Sequence, residues 1–78
     1  QRNRDKPLRD RMKKIEQAMT TLQGRLKDIE GALQAPELYE ASGVTRLRSL
    51  TEEQGRLRGE LESVEAEWIE VAEALESA

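Results

Sequence analysis

Whatever chemistry this chain performs must come from its charges. Its 78 residues include 13 Lys or Arg and 16 Asp or Glu, but no Cys and no His. Thiolate nucleophiles, imidazole bases, disulfides and the usual zinc ligands are therefore absent together. Ser42, Ser49 and Ser63 have no imidazole to activate them. No phosphate loop of the G-x-x-x-x-G-K type occurs, and no metal-ligand spacing. The carboxylates are abundant, yet so small a chain has no water-excluded cleft in which to shift them toward acid–base work. The expectation is a non-catalytic chain with no catalytic residue, cofactor site or metal site of its own.

What remains is ionic contact, and the cations are unevenly spread. Residues 1–34 carry nine Lys or Arg against five acids, whereas residues 35–78 carry four against eleven. Part of this asymmetry serves pairing between two strands of opposite charge, which selects partner and orientation. The rest is available to phosphates, because the local patch rather than the total decides binding. The candidates are Arg2, Arg4 and Lys6 at the start, then Lys13, Lys14 and Lys27, then Arg46, Arg48 and Arg56. With no aromatic cluster or base-reading motif beside them, they would grip phosphates with little regard for sequence.

The elements that position these side chains are legible in the apolar pattern. Leu8, Met12, Ile15, Met19, Leu22, Leu26, Ile29 and Leu33 step by three and four. So do Leu47, Leu50, Gln54, Leu57, Leu61, Val64, Trp68, Val71 and Leu75. That alternation is the 3.5-residue period of a helix facing a partner helix. Pro36 disfavours helical geometry at Ala35 and ends the first run. The sequence therefore predicts an all-α, two-helix antiparallel coiled-coil hairpin. It assigns residues 1–6 to the end of a basic linker, helices to 7–34 and 44–76, and a turn to 35–43. In an antiparallel pair, facing residue numbers have a constant sum. A sum of 83 satisfies eight layers, among them Ile15 with Trp68, Leu26 with Leu57 and Ile29 with Gln54. This register leaves Leu38 and Tyr39 to cover the end of the seam at the turn and makes Trp68 its largest contributor.

Some residues fit the pattern poorly. Gln54 is the one polar residue on the second seam, where its amide must find a partner or water. Gly24, Gly31 and Gly59 fall at the outward f position of the heptad and Gly55 also lies off the seam, each weakening its helix. They are either tolerated there because the positions are exposed, or they make the distal half pliable. No apolar stretch approaches the length needed to cross a bilayer, and no signal-peptide pattern opens the chain, which reads as a piece of a larger soluble protein.

The turn Leu33-Gln34-Ala35-Pro36-Glu37-Leu38-Tyr39-Glu40, followed by a heptad helix carrying Glu67-Trp68 near its end, resembles the C-terminal coiled-coil domain of bacterial ABC-F ATPases. It is more similar to the YheS branch than to the Uup branch, since Pro7-Leu8-Arg9-Asp10-Arg11-Met12 replaces the segment with which the Uup branch tends to begin. The resemblance implies a cytoplasmic parent with two upstream ATP-binding cassettes, which hold ATP and magnesium, and a role at the translating ribosome. It implies for this chain an accessory arm that contacts ribosome, RNA or DNA through the nine cations named above. A structural spacer or protein-interaction hairpin is the alternative that the heptads support equally. A monomer is expected, with domain swapping through residues 35–43 as the other route to a stable fold.

Overall fold

A computed structural model describes residues 2–77, with side chains from Asp5 onward. Two long helices, α1 (Arg2–Ala32) and α2 (Val44–Ser77), run antiparallel as a hairpin. The molecule is a rod of 61 × 14 × 13 Å. α1 begins at Arg2 and continues through Pro7, so of the linker end expected over residues 1–6, residues 2–6 are helix and Gln1 lies outside the described residues. Pro7 is the sixth residue of α1, past the first turn, so it removes one intrahelical donor and crowds the carbonyl four residues back. At the other end α1 stops at Ala32, two residues before the Gln34 expected from the seam.

The reason lies in how the turn tightens. The backbone N–H groups of Gln34 and Ala35 bond to Gly31 and Ala32, three residues back, while Leu33 still bonds to Ile29. Ala35 is extended at φ −67°, ψ 122°, as a residue before proline prefers. Pro36 then opens a 3-10 turn, Pro36–Tyr39, and a second, Ala41–Gly43, leads into α2. Among the described residues no backbone φ is positive, so the reversal uses short 3-10 turns rather than a left-handed glycine cap. Gly43 is nevertheless required. A Cβ on it would collide with the Glu37 carbonyl oxygen and stand 2.6 Å from the Leu38 Cα, so the missing side chain is what lets α2 start against the first 3-10 turn.

The seam follows the heptads. Ile15, Leu22, Leu26, Ile29, Leu50, Leu57 and Val71 are buried, and the other seam positions are half-buried with one exception. The densest packing lies toward the turn, where Leu22, Leu26, Ile29, Leu50 and Leu57 form one continuous buried cluster with Leu38, which closes the end of the seam. Trp68 is the exception, 36% exposed, with its indole N–H donating to the Glu16 carboxylate at 3.2 Å. The indole leans out along the flank toward Glu16, so part of the ring meets water. Tyr39 also departs from expectation: it is 64% exposed and does not cover the seam. Its hydroxyl instead donates to the Leu33 carbonyl, one of the acceptors left orphaned where α1 ends.

Candidate nucleic-acid interface

Two ion pairs cross the seam and fix how the charged flanks sit. Arg11 meets Glu67 at 3.7 Å, and Arg58 meets Glu30 at 3.8 Å. Their residue numbers sum to 78 and 88, five below and five above 83. This is the symmetry expected of g–g and e–e contacts flanking a seam in that register. All four side chains are about half exposed, so each pair adds little stability and acts mainly on alignment. Opposite charge on the two strands is thus partly consumed within the hairpin.

Against this background the candidate cations separate into distinct groups. The side chains of Arg2 and Arg4 lie outside the described residues. Lys6 is exposed but tied to Asp10 at 3.1 Å. Arg56 bridges Glu53 and Glu60 on its own helix, at 3.8 and 4.0 Å. Lys13, Lys14, Lys27, Arg46 and Arg48 are exposed, and none of them enters an ion pair with a described residue. These five are not brought together. Lys13 and Lys14 lie near the open end while Arg46 and Arg48 open α2 beside the turn, more than twenty residues of helix away, or about 30 Å.

Their surroundings differ as much as their positions. Residues 24–58, the half of the rod ending in the turn, hold six Lys or Arg and six acids. The open end, residues 5–23 with 59–77, holds five against ten. Lys13 and Lys14 therefore sit in a field of carboxylates, whereas Lys27, Arg46 and Arg48 sit where the charges balance. Arg46 also lines an open groove at the turn with Ala32, Ala35, Glu37, Leu38, Ser42 and Gly43. A second groove on the same flank, bounded by Arg25 and Glu60, is floored by Ala18, Thr21, Leu22, Ser63 and Val64. Arg25 is an exposed cation outside the nine candidates; its g position beside the seam is the sequence signal that marks it. Among the described residues no cluster of His, Cys, Asp or Glu is arranged to hold a metal ion, and no helix is long and apolar enough to cross a membrane.

A family model described as the ABC transporter C-terminal domain matches residues 7–73. The chain belongs to this family. Searches among curated proteins and among solved structures returned no match. As an ABC transporter C-terminal domain, the hairpin is an accessory arm of an ABC protein. The match spans the turn and nearly all of both helices, so membership rests on the whole hairpin rather than on one helix.

Proposed function

We propose that this arm belongs to a cytoplasmic ATPase of the ABC-F type, and that it contacts ribosomal RNA or another nucleic acid through phosphates near its turn. The observation that carries this reading is the position of Lys27, Arg46 and Arg48. They are exposed cations without a carboxylate partner among the described residues, in the half of the rod where charge balances. The acid-rich open end repels a polyanion and leaves the turn as the end presented to it. Lys13 and Lys14 belong to the repelled end and contribute less. The chain itself performs no catalysis in this reading; ATP and magnesium are held by the upstream cassettes.

A spacer or protein-interaction hairpin is favoured by a different observation, the Arg11–Glu67 and Arg58–Glu30 pairs, which account for some of the charge asymmetry internally. A salt titration of RNA and ribosome binding separates the two. With three phosphate contacts the log–log salt slope should be about two to three units. Arg46→Glu/Arg48→Glu should abolish most binding, while Lys13→Glu/Lys14→Glu should leave it nearly intact. Absence of binding by the wild-type chain at low salt would leave the spacer reading standing.

A further inference from the structure

The exposed large apolar side chains of the described residues lie at the two ends of the rod, Tyr39 and Val44 at the turn, Trp68 and Ile69 at the open end. The second pair stands on a stretch of helix whose charges are all of one sign. Trp68 leans toward Glu16, an e position of α1, and Ile69 and Ala72, at b and e of α2, border the same flank. Ile69 is 53% exposed and has no place in the seam. Beyond Arg58, α2 carries seven Glu and no Lys or Arg, and of the seven only Glu60 and Glu67 enter ion pairs with described residues. Glu62, Glu65, Glu73 and Glu76 are left unpaired around the apolar patch, with Arg9 and Lys13 as the cations on the α1 side of that flank. Carboxylates three residues apart repel one another, and the C-terminal end of a helix favours cations over anions. At the mouth of the seam an Asp5 carboxylate oxygen is enclosed without a hydrogen-bond donor among the described residues.

We infer that this flank of the open end docks onto a basic face of the domain that precedes the hairpin in its ABC protein. The inference rests on membership in the C-terminal domain family and does not depend on nucleic-acid contact at the turn. Three arguments select this occupant. The unpaired carboxylates attract cations, and they repel nucleic acid and anionic lipid alike. Two large apolar side chains offer far less than the roughly 800 Å² per partner that a free protein complex buries, so the contact holds only where a tether keeps the two surfaces together. A C-terminal domain is joined to its parent through its own start, and the start of α1 lies at this same end of the rod. In the docked state an arginine of the partner lies over the Trp68 indole, whose N–H is already oriented by Glu16. Further cations pair with Glu65 and Glu73 on either side of Ile69. Docking at the base sets the direction in which the turn points.

The test uses the intact ABC protein of which the hairpin is the C-terminal arm. A photoreactive benzoylphenylalanine in place of Ile69 should cross-link within the same polypeptide, to a Lys- and Arg-bearing peptide upstream of Gln1. The same group in place of Glu52, outward-facing in the other half of the rod, should not. Hydroxyl-radical oxidation of Trp68 should be at least about threefold faster in Glu65→Lys/Glu73→Lys than in wild type, because a weak tethered contact is released when its charges are reversed. High salt should speed oxidation of the wild type in the same direction. Should the charge reversal disturb the helix, Ile69→Ser keeps every charge and should expose Trp68 likewise. Cross-links only to a second copy or to another protein, equal cross-linking from position 52, or Trp68 oxidation unchanged in a folded variant would overturn the docking. None of these readouts involves RNA, so a failure of nucleic-acid binding at the turn and a failure of docking at the base are distinguishable.

Discussion

At the scale of single residues, the glycines show how the same side chain is dispensable in one place and required in another. Around Gly24, Gly31, Gly55 and Gly59 an added Cβ would meet nothing within 4 Å. Gly24→Ala and Gly59→Ala should therefore each raise stability by up to about 1 kcal/mol, read as a higher urea midpoint with an unchanged slope. Gly43→Ala should do the opposite, losing about 1–3 kcal/mol, because the clash is with backbone that must shift bodily. The seam offers a second contrast. Leu57 is 1% exposed, and Leu57→Ala should cost about 2–5 kcal/mol. Trp68→Ala should cost less, about 1–3 kcal/mol, since part of the ring already meets water. Its fluorescence should accordingly be that of a partly solvated indole. Gln54 is half-buried, and its amide is not among the enclosed polar atoms lacking a partner. Gln54→Leu should consequently gain about 1 kcal/mol or less in a melting experiment.

At the scale of elements, the heptad spacing was enough to specify two helices and their register. Every seam residue apart from Trp68 is buried or half-buried, and the two cross-seam ion pairs straddle the expected sum. Position 68 escaped because periodicity reports which way a side chain points and says nothing about whether the gap between two helices can hold it. The ends of the elements were less legible. Pro7 suggested a helix start, yet a proline near an N-terminus is compatible with helix on both sides of it, and α1 extends back to Arg2. Pro36 marked the break correctly, but the 3-10 tightening over Gln34 and Ala35 shortens α1 by a local bond pattern that side-chain periodicity cannot express. The exposed glycines face open space, on the half of the rod that also holds the main buried cluster. As for the candidate interface, the identity of the cations could be read from sequence. Their separation into paired, acid-surrounded and unpaired groups depends on which carboxylates the fold brings alongside.

At the scale of the whole molecule, one polypeptide satisfies its own seam, and the chain should behave as an extended monomer. Sedimentation velocity should give the mass of a single chain with a frictional ratio well above that of a sphere; an obligate dimer would mean that the helices exchange partners through residues 35–43. Because the pairs at the open end are exposed and few, raising salt should change the melting temperature little, whereas the phosphate contact proposed for the turn should weaken with the same salt. A rod 61 Å long and 14 Å wide also has a mechanical property. Both helices share one end, so the turn is the free end of a lever, and any rotation applied at its base becomes a displacement of the tip in proportion to that length. Under the function proposed above, an angular change too small to alter a contact at the pivot would carry Arg46 and Arg48 toward or away from a polyanion, turning a conformational step elsewhere into a change of address.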